Sequence, residues 1–447
     1  MTGSAGELTE APSGEDAVKD TGLKAVLKVL GPGLVTGVAD DDPSGVATYS
    51  QAGAGFGMGL LWTAPLCLPL MYGVQEICDR TALATGDSLG MLVRRKFART
   101  ARIVIGVLIV ALIVANCLNV AADLAAIGSG MELLHLGPPH LWAAIAGVVL
   151  AVVTVFGSFD RIAAIFKWLC LVLLVYFAVL FVANVPWAEV GAGVLGLRMT
   201  WSWDSAGLLV AVLGTTISPY MFFWESGHRV EEMREEGDGP LAVPLDERPR
   251  RQSLRKLLLS RIDVLIGMFV SVAAMLAIMV ATASTIGRNG PQQLNTAADA
   301  AKALEPIAGP AAAAIFAIGF IATGVLAVPV LASSGSIALA GLLGKPWGFN
   351  KSTRRAPLFY VLIGVGLIGG VAISAVSDNP VQLLVLSATI NGIAAAPFLL
   401  VVMLLSGDRK LMGRHVNGRL AAWVGWITAA IMLAAGLVGI YATIANP

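Results

Sequence analysis

The stretch Ala-Asp-Asp-Asp-Pro-Ser-Gly, residues 39–45, places three carboxylates and a proline inside the otherwise apolar segment 26–54. Asp42 lies about 15 residues into that segment, or about 22 Å along a helix, which is near the middle of a bilayer. A charge at that depth is costly unless a partner compensates it. Pro43 removes a backbone donor and Gly45 loosens the chain, so the pattern predicts an interrupted helix that lines a polar cavity. A proline kink capped by the aspartates is the alternative, but it leaves three consecutive acids unexplained.

The rest of the chain has the composition of a membrane protein. Of its 447 residues, 57% are hydrophobic and 13% are charged, about half the charged fraction of a soluble domain. A net charge of +1 gives no reason to expect nucleic acid as a partner, and no nucleophile or metal-hydrolase motif indicates an enzyme. Apolar runs predict an all-α polytopic membrane protein, with eleven spans at residues 26–54, 58–83, 102–127, 141–158, 162–185, 205–226, 258–284, 311–343, 356–376, 380–405 and 419–444.

Basic residues set the expected orientation in the bilayer. They cluster after the even-numbered spans, while the alternate connections are nearly bare. Because cytoplasmic loops carry the excess of Lys and Arg, we expect a multi-pass plasma-membrane protein with a cytoplasmic N-terminus and an external C-terminus. The predicted organisation is a disordered cytoplasmic tail (1–22), a first repeat (23–185), a second repeat (186–406) with a cytoplasmic loop (227–257), and a last span with the C-terminus (407–447).

A second interruption falls in the sixth span. There Ser218 and Pro219 follow a polar stretch inside the apolar run 205–226. The two interrupted spans are the first members of two five-span halves, and an odd number of spans per half gives the halves opposite orientations. Two broken helices at corresponding positions of inverted repeats indicate a transport site near the bilayer midplane. The sequence therefore predicts a LeuT-type 5+5 inverted repeat with broken helices 1 and 6 and an eleventh transmembrane helix.

The two interruptions supply oxygen ligands for a cation. Carboxylates and hydroxyls suit magnesium, calcium and manganese, whereas soft ligands select iron, copper and zinc. Magnesium usually retains several waters, for which small residues leave room. No cofactor is expected beyond the transported ion, and the protein is expected to act as a monomer. The candidate metal site comprises Asp41, Asp42, Gly45, Thr215, Ser218 and Tyr220.

At these motifs the chain resembles the NRAMP family of divalent metal transporters, which have the LeuT-type fold. That family carries Asp-Pro-Gly-Asn in helix one and Met-Pro-His in helix six; here the stretches are 42–45 (Asp-Pro-Ser-Gly) and 218–220 (Ser-Pro-Tyr). Gly-Pro-Gly at 31–33 and the polar positions within 75–86 are also similar to the family. The family's metal-binding Met is replaced by Ser218, which removes the soft ligand. The chain is in this respect similar to the NRAMP-related magnesium transporters.

The resemblance also bears on proton coupling. The family carries an Asp and a Glu in helix three that are linked to proton movement. Alignment on Ile127 and Gly128 puts Ala122 and Ala125 at those places, with Asp123 one residue away. All four histidines fall in or beside predicted loops. We therefore expect import of Mg²⁺, and also Mn²⁺, by alternating access without obligatory proton coupling.

Two other functions stay open. One is a proton-coupled Mn²⁺ or Fe²⁺ importer of the NRAMP type. The other is a transporter of amino acids or other organic substrates, which is less favoured because the acids in span one would repel a substrate carboxylate. Whether Asp40 or Asn391 joins the site is also open.

Further polar residues lie within or beside the spans. Those at the end of span two are interpreted as an interfacial ion-pair cluster in preference to an inner gate, and those of span three as interhelical hydrogen-bonding groups. The first group is Glu76, Asp79 and Arg80, and the second is Asn116, Asn119 and Asp123.

Overall fold

The structure, a computed structural model, describes residues 32–156, 177, 178, 180, 181, 185–236, 241–302, 309, 312–376 and 379–445. It is helical throughout that part of the chain. The helices are α1 (Pro32–Asp40), α2 (Pro43–Phe56), α3 (Thr63–Thr85), α4 (Leu89–Lys96), α5 (Arg99–Leu133), α6 (Pro139–Phe156), α7 (Trp187–Val194), α8 (Trp203–Thr216), α9 (Pro219–Glu235), α10 (Arg250–Thr285), α11 (Ala297–Ala301), α12 (Ala312–Leu343), α13 (Pro357–Val376), α14 (Pro380–Ser406), α15 (Arg409–Met412) and α16 (Arg419–Ala445).

The described helices account for ten of the eleven predicted spans. Eight spans are long and apolar enough to cross a membrane when α8 and α9 are counted together. They are the third, the fourth and the sixth to eleventh of the prediction. The helices α1 and α2 overlap the first predicted span and α3 the second. By length and composition α2, the 3₁₀ turn that follows it and α3 qualify only together, as one pair bent by 111°, which gives up to nine spans among the described residues. The fifth predicted span, 162–185, lies almost wholly outside the described residues.

One face of α5 shows how the bundle meets lipid. Ile103, Val107, Val110 and Val114 are each at least half exposed and recur at spacings of four, three and four residues. Such a stripe of large apolar side chains follows one side of a helix. Contiguous exposed apolar surface of this kind suits a membrane environment.

Small residues let the broken helices approach their neighbours closely. A Cβ placed on Gly267 of α10 would lie 2.6 Å from the carbonyl carbon of Gly33 in α1, where carbon atoms normally keep about 3.5–4.0 Å. At the second broken helix, a Cβ on Gly214 of α8 would lie 2.7 Å from the Cα of Gly392 in α14. Backbone-to-backbone contact through glycine is a common packing mode in membranes.

The connection between spans six and seven is shorter than the predicted loop 227–257. Helix α9 continues to Glu235 and α10 begins at Arg250, so the connecting segment is reduced to 236–249. Several hydrophilic residues in the second half of α9 are buried, and Arg229 and Glu231 among them have partners on other elements. Charged residues that are satisfied inside the bundle let the helix extend beyond its apolar run.

Candidate cation site at the helix breaks

The first interruption comprises the two residues before the proline, Asp41 and Asp42. Helix α1 ends at Asp40, and Pro43 is the first residue of α2, with extended backbone at Asp42. Proline suits this place because the first helical N–H has no partner within the helix. Gly45, which was expected to help unwind the chain, lies inside α2. Its N–H points to Asp42, so the position provides space near the break and is not part of the unwound segment.

Asp42 caps the second half-helix. Its Oδ1 accepts hydrogen bonds from the Gly45 N–H at 2.8 Å and the Ser44 hydroxyl at 2.5 Å. This is the geometry of an N-cap, which satisfies an otherwise unpaired donor at the helix start. Both of these hydrogen bonds reach the same oxygen, which leaves Oδ2 outside the capping interaction. Asp42 therefore does cap the second half-helix, as the alternative interpretation of the sequence expects. Its Oδ2 is not used by this cap and can bind another partner.

The second interruption lies between α8 and α9. Helix α8 ends at Thr216 and is followed by Ile217 and by Ser218, which has extended backbone before Pro219 begins α9. The Ser218 hydroxyl donates to the carbonyls of Gly214 at 2.6 Å and Thr215 at 2.8 Å. Its proton is thus directed back to the end of α8, while the hydroxyl oxygen keeps acceptor capacity.

Hydrogen bonds join the two interruptions. Ser44 Oγ lies 3.2 Å from Thr215 Oγ1. The Tyr220 hydroxyl donates to the carbonyl of Ala39 at 3.3 Å and lies beside the carboxylate of Asp42. All of these residues are buried. The structure therefore brings together Asp42, Thr215 and Tyr220 of the predicted site.

A further contact beside the break was not anticipated. Tyr49 OH lies 2.9 Å from Thr216 Oγ1 and gives α2 a second link to α8. A tyrosine in an apolar run carries no signal of this pairing, because it depends on how two distant helices face each other.

The helix ends at this junction favour positive charge. The C-termini of α1 and α8 both lie at the break, and a helix C-terminus carries a partial negative charge. The N-terminus of α2, which would attract an anion, is already occupied by the carboxylate of Asp42. In transporters built this way, unwound carbonyls and half-helix C-termini coordinate cations. The junction is therefore better suited to a cation than to a substrate carboxylate.

Asp40 and Asp41 turn toward α10 and not toward α8. The hydroxyl of Ser271 donates to Asp40 Oδ2 at 2.6 Å and lies 3.4 Å from Asp41 Oδ1. Asp40 Oδ1 and Asp41 Oδ2 are buried, and no hydrogen-bond partner for either is found among the described residues. Asp41 is thus adjacent to Asp42 in sequence, but its contact is with Ser271, a residue with no distinguishing signal in the sequence.

Asp123 was interpreted as an interhelical hydrogen-bonding residue, and the structure differs. It is fully buried on α5, and within the described part of the chain neither carboxylate oxygen has a hydrogen-bond partner. It interacts electrostatically with Asp42 and Tyr220. A carboxylate without hydrogen bonds facing the break belongs with the candidate site.

The two asparagines of α5 do make interhelical hydrogen bonds. Asn119 and Asn391 exchange a reciprocal pair at 3.2 and 3.1 Å, which joins α5 to α14. Asn116 donates to the carbonyl of Leu331 at 2.9 Å and to Ser334 at 3.0 Å in α12. Asn391 is therefore engaged in helix packing, and no hydrogen bond from it to the break residues is found in the described structure.

The charged residues at the end of α3 are buried in the bundle and form ion pairs, as the expected ion-pair cluster requires. Glu76, Asp79 and Arg80 are each at most 6% exposed. Glu76 pairs with Arg80 at 3.0 Å and with Arg261 at 2.9 Å.

Asp79 belongs to a separate cluster, whose centre is Arg229. The guanidinium of Arg229 contacts Asp79, Glu232 and, at 3.2 Å, Asp263. The carboxylate of Asp263 also accepts from the backbone N–H groups of Gly33 at 2.9 Å and Leu34 at 3.2 Å. This arginine cluster therefore fastens the start of α1 to α3, α9 and α10.

One histidine is inside the bundle. His228 was expected in a loop, but it lies within α9, is 7% exposed, and its ring centroid is 5.2 Å from that of Trp224. The absence of core histidines assumed from the sequence is thus incorrect for this residue.

The break does not present a preformed cage of strong ligands. Within the described residues, no three His, Cys, Asp and Glu side chains are arranged to hold a metal ion. A cation at the break would complete its coordination with hydroxyls, carbonyls and water. Such mixed shells are typical of Mg²⁺, which is usually bound through one or two carboxylates.

Two broken helices that meet in mid-span, within a bundle of apolar helices, define a membrane transporter of the broken-helix class. The chain belongs to the Nramp family, since the family model described as natural resistance-associated macrophage protein-like matches residues 33–442. The family consists of transporters, which confirms the expectation that the protein is not an enzyme.

Relatives cover nearly the whole chain. The divalent metal cation transporter MntH of Ralstonia nicotianae is 29% identical over 93% of this chain and 90% of its own length. The protein of the same name from Mycobacterium tuberculosis is 28% identical over 95% and 94%.

Solved structures share the fold. The manganese transporter of Eremococcus coleocola, in complex with an aromatic bis-isothiourea substituted compound, has a TM-score of 0.73 at 18% identity over 98% of this chain and 91% of its own. The nucleobase-cation-symport-1 family transporter MHP1 has a TM-score of 0.53 at 14% identity over 93% and 90%. The predicted fold class, an all-α polytopic membrane protein of LeuT type, is confirmed.

Proposed function

We propose that this protein transports divalent cations across the plasma membrane, with Mg²⁺ as its main substrate and Mn²⁺ as a second one, by alternating access without obligatory proton coupling. The observation that carries the proposal is the chemistry of the helix breaks. Around Asp42 the described groups are hydroxyls, carboxylates and carbonyls, from Ser44, Thr215 and Tyr220 among others. Oxygen ligands favour hard cations.

The position of Ser218 supports the preference for Mg²⁺. In the family motif a methionine precedes the proline, and its thioether is the soft ligand that favours transition metals. Here the side chain is a buried hydroxyl that donates to the end of α8. The proposed site comprises Asp42, Thr215, Ser218 and Tyr220, with Gly45 providing space beside them and Asp41 as a further carboxylate at the break.

Proton-coupled manganese import is the second candidate, and three observations favour it. The relatives are named divalent metal cation transporters and one structural neighbour is a manganese transporter. Asp123 is a buried carboxylate that interacts with Asp42, and His228 is buried within α9. Both side chains can carry a proton. This candidate differs from the first in the ion carried and in whether protons move with it.

Uptake into proteoliposomes that contain a lumenal pH dye separates the candidates. The proposal expects uptake of Mg²⁺ and Mn²⁺, competition between them, and no acidification of the lumen beyond the leak of empty liposomes. The membrane potential would supply the drive, about 4.6 kcal/mol per 100 mV for two charges. If Mn²⁺ is taken up while Mg²⁺ is neither transported nor inhibits that uptake, the magnesium proposal is refuted. Acidification of the lumen in proportion to metal uptake would establish proton coupling.

The orientation remains part of the proposal. A cytoplasmic N-terminus and external C-terminus follow from the basic loops, and a monomer is expected to suffice because both breaks lie in one chain. Single cysteines introduced into the connections between spans test the orientation directly. A thiol reagent added outside intact cells should label only the connections that face outward.

A further inference from the structure

A buried carboxylate of α9, among the described residues, makes no direct ion pair with the cation site or with the arginine cluster, although Arg229 lies near enough to interact with it electrostatically. Glu225 is fully buried. The hydroxyl of Thr36 in α1 donates to its Oε2. Its other oxygen, Oε1, has no hydrogen-bond partner among the residues that the structure describes. An ionisable group within a membrane span normally has a functional role.

The position of Glu225 lies along the line of the broken helices. It is seven residues after Ser218, or about 10 Å along α9 at 1.5 Å per residue. Thr36 is six residues before Asp42, or about 9 Å back along α1. The Thr36–Glu225 pair is therefore displaced from the breaks toward the start of α1 and the end of α9. In the predicted topology this is the cytoplasmic end.

The nearby arginine interacts electrostatically with this carboxylate but gives it no hydrogen bond. Arg229 lies one helical turn further along α9, but its Nε is directed to Asp79, its Nη1 to Glu232 and its Nη2 to Asp263. The hydrogen bond that Glu225 receives thus comes from a neutral hydroxyl. An ionised carboxylate is costly to bury when no charged group hydrogen-bonds it directly.

We propose that Glu225, with the hydroxyl oxygen of Thr36, is a second and transient station for the divalent cation on its way from the breaks to the cytoplasm. This inference rests on the proposed function. One carboxylate, one hydroxyl and retained waters bind a divalent cation weakly. Weak binding suits an exit station, because conduction needs sites that attract the ion and still release it.

The test compares Glu225→Gln with Glu231→Gln in proteoliposomes. Glutamine keeps the size of the side chain and an acceptor for Thr36 but removes the charge. Glu231 is a matched control because it is also a buried carboxylate of α9, with the Asn350 N–H at 3.4 Å as its partner. We expect Glu225→Gln to lower the maximal rate of Mn²⁺ uptake about five-fold or more while the KM changes less than about two-fold, because the first site stays intact. Glu231→Gln should retain the wild-type rate.

A second variant and a binding measurement guard against a folding defect. Thr36→Val keeps the carboxylate and removes the hydroxyl, and it should also reduce the maximal rate. Electron paramagnetic resonance of Mn²⁺ with purified Asp42→Ala protein should show weak residual binding that the Asp42→Ala/Glu225→Gln double variant lacks.

The possible failures are distinguishable. If Asp42→Ala leaves uptake intact, the proposed function fails at its site. If Asp42→Ala abolishes uptake while folded Glu225→Gln protein carries Mn²⁺ at the wild-type rate, the exit station is refuted and the proposed function stands. The exit station is also refuted if the residual Mn²⁺ binding is identical in the single and the double variant.

Discussion

The substitution Asp42→Asn separates the two roles that the structure gives this residue. Asp42 caps α2 through Oδ1, which accepts from Ser44 and Gly45, and we propose that it also binds the cation. Asparagine is about as good an N-cap as aspartate, whereas alanine at an N-cap costs about 0.5–2 kcal/mol. Asp42→Asn therefore keeps the cap and removes the charge, while Asp42→Ala removes both.

The size of the effect on binding follows from the charge. Two unit charges 4 Å apart attract by about 4 kcal/mol at an effective dielectric constant of 20, so a divalent ion gains about 8 kcal/mol before its lost hydration is counted. If about a third of that attraction remains after the cost of dehydration, removing the charge lowers the binding free energy by about 2.7 kcal/mol, which raises Kd about 100-fold. Both variants should show this loss, but only Asp42→Ala should also unfold more easily, by about 1 kcal/mol.

Two measurements on the same purified protein decide the outcome. Isothermal titration calorimetry with Mn²⁺ gives the affinity, and thermal melting without metal gives the stability. Affinity of Asp42→Asn within about three-fold of wild type, a difference of about 0.7 kcal/mol, would refute the assignment of Asp42 as a charged ligand. Equal stability losses in the two variants would refute its role as a cap.

Three further predictions concern selectivity, packing and helix pairing. Ser218→Met should shift uptake from Mg²⁺ toward Mn²⁺ and Cd²⁺, because a thioether is a soft ligand; unchanged ratios in a competition assay would contradict the selectivity argument. Gly267→Ala should lower the melting temperature and slow transport, because its Cβ would meet the backbone of α1, while Gly364→Ala, with no atom within 4 Å of the added Cβ, should be tolerated; equal effects of the two would show that the close packing is unimportant. In a double-mutant cycle, Asn119→Ala and Asn391→Ala should couple by about 0.6–1.7 kcal/mol, and additive losses would disprove the reciprocal hydrogen bonds.

The helix breaks could be predicted from local sequence because their signals are local. Three acids before Pro43, and Ser218 before Pro219, are each incompatible with a continuous apolar helix, and the structure interrupts the chain at both places. The detail within a break is less accessible. Asp42 takes a capping geometry that brings Gly45 into the helix, because satisfying the N–H groups at the helix start outweighs the flexibility of glycine.

The partners of the buried polar groups could not be predicted, because they depend on how distant helices face each other. Ser271 is an ordinary serine in an apolar run, yet it is the residue that hydrogen-bonds Asp40. The sequence shows Asp79 as an ion-pairing residue, but not that its partner is Arg229, 150 positions away. Glu225 is an acid within the apolar run 205–226, but that it receives no hydrogen bond from Arg229 is visible only in the structure, where the guanidinium is directed to Asp79, Glu232 and Asp263.

The contact between α1 and α10 has a mechanical consequence. Where Gly37 and Gly267 meet, a Cβ on either residue would collide with the other helix, so the helices touch through their backbones. Where side chains of two helices interlock, they have to change rotamer before the helices can slide. Glycines in contact have no side chain and impose no such barrier. At this point α1 meets α10 without interlocking side chains, and hydrogen bonds near both ends of α1 hold it to α10: Gly33 and Leu34 donate to Asp263, and Ser271 donates to Asp40. A shift of α1 along α10 therefore has to break these polar contacts, while the glycine contact between them adds no side-chain barrier.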